Sequence, residues 1–273
     1  MIGAIIGDVV GSRFEFKDHS GKNFELFVSG CVATDDSFMT LAIANALLLA
    51  KGNYSNLESL AEYSMKKIAA DHPKTGWGGN FYKWLFEGGT KTDSFGNGAA
   101  MRISPVGWVA NSEEEVKILS KKVTIPSHNH PEGIKGAEAI AMAVYLARTG
   151  KDKEYIKSKM VEYYPHINNP KFNMNYLLTT YGYDEIGMWV TCQGSVPQAI
   201  IAFLASTDFE DAIRNAISLG GDSDTLACMC GSIAEAYYGM TLDQEYDVLD
   251  RLPDDLVGIC YAFMSFRKKR VTR

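Results

Sequence analysis

The chain has 273 residues, 46% of them hydrophobic and 22% charged, with a formal net charge of −6; this is the balance of a globular protein with a large core and excludes global disorder. The acidic balance works against general attraction to nucleic acid, so no nucleic-acid partner is expected, and the basic run Arg267-Lys268-Lys269-Arg270 reads as a solvated helix end. No Pro-, Gly- or Ser-rich linker divides the chain, so residues 1–273 are read as one domain; a monomer is the separate expectation for its assembly.

Met1 to Val10 is apolar but lacks a basic leader, contains Asp8, and is broken by Gly3, Gly7 and Gly11. It is expected to be neither a signal peptide nor a membrane span, and its glycines obscure the choice between helix and strand. No other stretch reaches about 18 uninterrupted apolar residues, so no membrane partner is expected. Glu15 lies between Phe14 and Phe16, either as a carboxylate tuned by apolar neighbours or as a solvent-facing position. Phe24, Leu26 and Val28 alternate over a short run, a weak strand signal. Phe38 to Ala50 is apolar nearly all round, interrupted by Thr40 and Asn45, which predicts a buried helix introduced by Thr34-Asp35-Asp36-Ser37.

Ser94 to Arg102 is a small-residue loop in which Gly96 and Gly98 alternate with Asn97. Such a loop either leaves backbone N–H groups open as a nest for phosphate oxygens or is simply tight. It matches neither the full dinucleotide fingerprint nor the lysine-bearing phosphate loop. Ser112 and Glu115 have the spacing of a capping box. Ser127-His128-Asn129-His130-Pro131 holds two histidines without a cysteine partner, which reads as a polar loop or helix cap rather than a zinc site, with one histidine available to an anionic substrate. The Ala-rich helix predicted over Glu132 to Arg148 carries Gly133, Gly136, Ala137 and Ala141, which allow another helix to approach closely.

Phe209 to Leu219 sets Phe209, Ala212, Ile213, Ala216 and Ile217 at helical spacing, with Thr207 and Glu210 as a capping box and Gly220 as the stop. Leu226 to Tyr238 is a second apolar helix ending at Gly239, entered through Gly220-Gly221-Asp222-Ser223-Asp224-Thr225. Helical signals dominate, so the fold is read as all-α. The five cysteines Cys31, Cys192, Cys228, Cys230 and Cys260 are odd in number and lack a paired C-x-x-C pattern, as expected for a reduced, cytoplasmic protein.

The two acidic clusters carry the chemistry. Either alone reads as a helix cap or a partner of the helix dipole. Yet both following helices are too apolar to lie on the surface, where an unpaired charge would be tolerated, and burying one costs several kcal/mol. No neighbouring run of Lys or Arg compensates them, whereas divalent ions would. Carboxylate and hydroxyl oxygens suit magnesium or manganese, while zinc and copper recruit His or Cys.

In order, G-D-x-x-G near the start, T-D-D-S, G-N-G-A-A-M-R, S-H-x-H-P and G-G-D-S-D-T span Ile2 to Tyr238. This ordered set resembles the ADP-ribosylglycohydrolase family. The resemblance implies a compact, single-domain orthogonal helical bundle whose cleft holds two magnesium ions, with manganese as a substitute. Thr34, Asp35 and Asp36 match its first metal motif, and Asp222, Asp224 and Thr225 its second; Ser37 stands where the family often has Thr. By the same resemblance, Ser94, Phe95, Gly96, Asn97 and Gly98 would cradle the diphosphate of ADP-ribose, with Phe95 near the adenine and His128 contacting the ligand. Glu15 matches a glutamate that in some members lies over the scissile bond.

The implied reaction releases ADP-ribose from an ADP-ribosylated protein, arginine being the favoured acceptor, or from a small ADP-ribosyl compound. It passes through an oxocarbenium-like state, with Asp35, Asp36 or Asp224 taking the proton of the attacking water. Two other readings are a two-metal hydrolase attacking phosphorus in a small nucleotide and a non-catalytic relative resembling the lens crystallins; the full set of six metal-motif residues weighs against the latter.

Overall fold

The computed structural model describes residues 1–17, 19, 21–89, 92–181 and 187–271, with side chains of 269–271 excluded. Its α-helices are α1 (Ile2–Gly11), α2 (Asp35–Ala50), α3 (Leu57–Asp71), α4 (Gly79–Phe86), α5 (Gly98–Met101), α6 (Ser104–Val109), α7 (Glu113–Thr124) and α8 (Pro131–Arg148). The second half adds α9 (Lys153–Tyr163), α10 (Met174–Thr180), α11 (Cys192–Leu204), α12 (Phe209–Ile217), α13 (Ser223–Tyr238), α14 (Leu242–Leu249) and α15 (Asp254–Val271). Among the described residues there is no strand, only an isolated antiparallel bridge between Gly96 and Thr191. The chain is therefore all-α.

Met1 to Val10, ambiguous in sequence, is helical, and every residue of α1 is buried. Its glycines recur every fourth position and so share one face. A Cβ on Gly3 would lie 2.4 Å from Gly231 O, on Gly7 2.0 Å from Ala227 O, and on Gly11 2.5 Å from Asp224 Cα. The bare face of α1 thus lies backbone to backbone and antiparallel along α13. This contact, the most extensive between any two elements, sets the distance between Asp8 on one helix and Asp224 on the other.

The two predicted apolar helices are buried over most of their length: Phe38 through Ala44 in α2 and Ser223 through Glu235 in α13 are enclosed without a break, while Leu49 near the end of α2 is exposed. α2 packs on α3, and α13 on α8, α11 and α12. Between α12 and α13 the chain turns through Gly220 and Gly221, both left-handed at φ 74° and 67°. Two consecutive residues in that region require glycine.

Several local expectations shift. The run from Phe24 to Val28 is an irregular, bent loop packed on the core, not a strand. Arg214 Nη1 donates to Phe24 O at 2.7 Å, supplying a hydrogen bond that a neighbouring strand would otherwise give. The cap of α12 is Asp208, one residue later than the spacing predicted; it accepts from Asp211 N at 2.8 Å, while Asp211 Oδ2 accepts from Thr207 N at 3.0 Å rather than closing a box on the cap's own N–H. Ser112 Oγ accepts from Glu115 N at 3.0 Å, but Glu115 reaches back to Asn111 N at 2.7 Å. Arg267 is not a solvated end: it lies 4.0 Å from the Trp108 ring centre and donates to buried Glu235 at 2.9 Å. Lys269 and Arg270 of the same run fall outside the described side chains. The five cysteines are free and buried. No helix among the described residues is long and apolar enough to cross a membrane.

Candidate metal centre and substrate cavity

The start of α2 is held from α1. Asp8 Oδ2 accepts from Thr34 N at 3.0 Å, from Ser37 N at 3.1 Å and from the Ser37 hydroxyl, and Oδ1 accepts from Thr34 Oγ1 at 2.6 Å. A carboxylate remote in sequence thus does the work of a local cap. Thr34 Oγ1 also accepts weakly from Asp36 N at 3.4 Å. Thr34 rather than Asp35 or Asp36 is the cap residue of α2, and both acids line the cavity described below, Asp36 buried and Asp35 half-buried.

At the start of α13 the capping reading also fails, because Asp222 makes no side-chain cap bond. Its Oδ2 accepts instead from Asn97 Nδ2 at 2.6 Å, and the same amide donates to Trp189 O at 3.2 Å. Thr225 Oγ1 donates to Asp36 Oδ2 at 3.2 Å, which joins the two acidic motifs, and Asp224 Oδ1 accepts from Thr225 N at 2.9 Å. Asp36 Oδ1 is buried without any partner.

Oxygens of Asp8, Asp36 and Asp224 lie within 4.8 Å of one another, as do oxygens of Glu15, Asp222 and Asp224. Asp224 belongs to both groups. Among the described residues no Lys or Arg forms an ion pair with any of these acids. Burial, and then repulsion from neighbouring acids, holds Asp36 and Asp224 well above the usual carboxylate range. Burial first, then Asp8, Asp222 and Glu15, raises Asp35 to about 7. Asp8, Asp222 and Glu15 are also raised, with burial the leading cause. Such a cluster favours its charged form only beside cations. Hard oxygen donors and an orphaned buried oxygen fit divalent ions of the magnesium type, and among the described residues neither acid group includes a His or Cys.

The cluster opens into a cavity of about 450 Å³ walled by Glu15, Asp35, Asn97, Gly98, Arg102 and His128. A second cavity, of about 540 Å³, is walled by Ser94, Phe95 and Gly96 and shares Asn80 and Val190 with the first. The small-residue loop is therefore divided: Ser94 to Gly96 face one space, Asn97 and Gly98 the other. It is also less open than alternating glycines imply. Gly96 N already donates to Ser94 Oγ at 3.2 Å, and Asn97 N to Val190 O at 3.0 Å. Phe95 is 43% exposed and meets the His130 ring edge-on at 5.2 Å. His130 caps α8 through Nδ1, which accepts from Glu132 N at 3.1 Å, in keeping with the cap reading. His128 is buried against Arg102, and burial followed by that cation pushes its pKa well below the usual histidine value, so the ring is neutral.

The sequence pattern of ADP-ribosylglycohydrolase matches residues 1–263. The chain belongs to the ADP-ribosylglycohydrolase family. The chain is 26% identical to ADP-ribosylhydrolase ARH3 of Homo sapiens, over 96% of this chain and 88% of that protein. It is 24% identical to ADP-ribosylarginine hydrolase Tri1 of Pseudomonas putida, over 88% of this chain and 70% of that one. An uncharacterized protein of Archaeoglobus fulgidus is 30% identical over 51% of this chain, a match that spans about half (48%) of that protein's length. A solved structure titled ADP-ribosylglycohydrolase-related protein complex superposes with a TM-score of 0.66 at 21% identity, covering 96% of this chain and 95% of that one, so the helical fold is shared.

Within this family member the structure brings together Glu15, Asp35, Asp36, Asp222, Asp224 and Thr225 around one cavity, with Thr34 tied to Asp8 beside them. Sequence reasoning passed over Asp8 as a member of the cluster, and over Arg102. For Asp8 a signal existed: an acid inside an apolar run, next to a glycine stripe, is buried beside whatever the stripe approaches. Arg102 gave none, because an arginine at a helix end is ordinarily solvated.

Proposed function

We propose that this chain is a metal-dependent hydrolase that cleaves the glycosidic bond between ADP-ribose and a protein side chain, arginine favoured, and releases ADP-ribose. The observation that carries the reading is Asp224, common to two acid groups with which, among the described residues, no Lys or Arg forms an ion pair. Two divalent ions, magnesium first and manganese as a substitute, fit that arrangement. Asp36, Asp222 and Asp224, with Asp35 and the hydroxyls of Thr34 and Thr225, would hold them. When bound, such ions supply Lewis acidity toward the ribose hydroxyls and the attacking water.

The chain's own groups supply the rest. Asp8 fixes Thr34 and Ser37, and hence the entry of α2. Asn97 holds the Asp222 carboxylate in place. Asp35, at the cavity wall, takes the proton of the attacking water, with Asp36 and Asp224 as the other acids in reach of that space. Glu15, half-buried at the rim, lies beside the distal ribose as its C1″ bond breaks through an oxocarbenium-like state. The diphosphate runs past Gly96 to Gly98, with His128 against it, and the adenine reaches the second cavity at Phe95, with Ser94 at its wall. The arginine preference draws support from the Tri1 relative, whose name specifies ADP-ribosylarginine.

The test is to incubate the chain with arginine-ADP-ribosylated protein, with and without chelator, and to analyse the products. Intact ADP-ribose should appear only when magnesium is present. Release of AMP would instead mark attack at phosphorus, and no release from arginine-, serine- or small-molecule-linked ADP-ribose would refute the reading.

A further inference from the structure

Arg102 directly follows α5 and is only 1% exposed. Burying a guanidinium without a carboxylate is costly, and among the described residues no acid forms an ion pair with it. It contacts the Phe81 ring, 5.7 Å from the guanidinium carbon, and the pair Ser127 and His128, while the Asp35 carboxylate acts on it only through space. Nη2 donates to Ser127 Oγ at 2.7 Å and lies 3.4 Å from His128 Nδ1, while Ser127 Oγ lies 2.9 Å from the same Nδ1.

The directions of these bonds follow from chemistry. A guanidinium only donates, so Ser127 Oγ accepts from Arg102. Nη2, which can only donate, also lies 3.4 Å from Nδ1. A hydrogen on Nδ1 would face that donor, even though Ser127 Oγ keeps a lone pair that could accept it, whereas a lone pair on Nδ1 accepts from both Nη2 and the Ser127 hydroxyl. Nδ1 therefore carries the lone pair, and the single hydrogen of the neutral ring is on Nε2. That edge faces the small-residue loop: a Cβ on Gly98 would lie 3.3 Å from Nε2, and one on Gly96 3.6 Å.

We propose that Arg102 is a positioning residue which, through Ser127, fixes His128 as the Nε2–H tautomer and so presents a neutral hydrogen-bond donor to acceptor oxygens of a ligand lying along Gly96 to Gly98. The identity of that ligand as a phosphate or ribose of ADP-ribose rests on the function proposed above; the tautomer does not. A fixed donor at this point accepts an oxygen with free lone pairs and rejects a donor group in the same place, because two donors would then face each other.

The direct test is nitrogen-15 NMR of the histidine rings in the full chain, with the His128 signals assigned by their loss in His128→Gln. Nε2 is expected to be protonated and Nδ1 unprotonated at neutral pH, with or without magnesium. A ring protonated at Nδ1, or at both nitrogens, would overturn the proposal without any variant needing to fold. Arg102→Met should introduce an Nδ1–H population and weaken calorimetric binding of free ADP-ribose about tenfold, while Arg102→Lys, which keeps a donor, should restore the wild-type ring spectrum. Ser127→Ala, a smaller change, should likewise bring in Nδ1–H, and an unchanged tautomer in both Arg102→Met and Ser127→Ala would remove the relay. If free ADP-ribose fails to bind the wild-type chain, the ligand assignment falls, and the ring spectra still decide the tautomer.

Discussion

The Thr225 hydroxyl donates to Asp36 Oδ2 at 3.2 Å across 189 positions of sequence, and it does so with both residues buried. This bond locks the first turn of α13 to the first turn of α2. It leaves Asp36 Oδ1 bare in the interior, a condition that a cation relieves.

Asp36→Asn should therefore have opposite effects with and without metal. The amide keeps an acceptor for Thr225 and removes one of the clustered charges, so the metal-free variant should melt higher than the metal-free wild type. Magnesium should no longer raise its melting temperature, and ADP-ribose release should fall more than about a hundredfold. Differential scanning fluorimetry across a magnesium titration, alongside the product assay, reads all three.

Raised carboxyl values in the folded chain predict a specific pH dependence. A carboxyl whose folded value is raised contributes stability that is fully present below its unfolded value, about 4, and is lost as pH rises through the folded value. Asp35, raised to about 7, sets the window between those limits. Without metal, the chain should melt lower near about pH 8 than near about pH 5. Saturating magnesium should reduce or reverse that difference, because bound cations favour the ionised acids. Melting curves at the two pH values, with chelator and with magnesium, decide it.

Gly7→Ala should be severe. The added Cβ would lie 2.0 Å from Ala227 O, a backbone atom that cannot swing aside, so α1 must move off α13. Overpacking of this kind costs about 3 kcal/mol. Because Asp8 moves with the helix, the magnesium-induced rise in melting temperature should shrink as well. Gly21→Ala, where the space is open but φ is 108°, should cost only its local backbone strain and leave the magnesium response intact.

Asn97→Ala removes the donor to Asp222 Oδ2. Partners of this kind, one bond away from a ligand, typically change metal affinity by about 10- to 100-fold. Isothermal titration with magnesium should show a loss in that range, with the melting temperature under chelator little altered.

Phe95→Ala addresses the distal end of the cleft. The ring is exposed and has a free face beyond its contact with His130, and stacking a base on such a ring contributes about 1–3 kcal/mol. KM for the ADP-ribosylated substrate should rise at least about fivefold with kcat nearly unchanged. A fall in kcat alone would place the adenine elsewhere.

The chain's amino-acid order was sufficient for the helical class, for the two buried helices α2 and α13, and for the acids that introduce them. Apolar residues all round a helix can only be enclosed, and carboxylates at the mouth of such helices need compensation that no neighbouring Lys or Arg run offers. Glycine spacing in Met1 to Val10 was present but undecided, because a bare stripe acquires meaning only from the surface it meets.

Tertiary structure alone decided the rest. Asp8 entered the cluster because the glycines of α1 let it come backbone to backbone with α13, an approach that no local pattern encodes. The choice between an open phosphate nest and a tight loop at Gly96 and Asn97 was left to the structure, in which Ser94 and Val190 occupy their N–H groups. Arg102, which the sequence places at the end of a small-residue loop, acquires its role from Ser127 and His128 packed against it. In each case the deciding partner lies on another element, and hydrogen bonding and burial are settled by who the neighbours are in space.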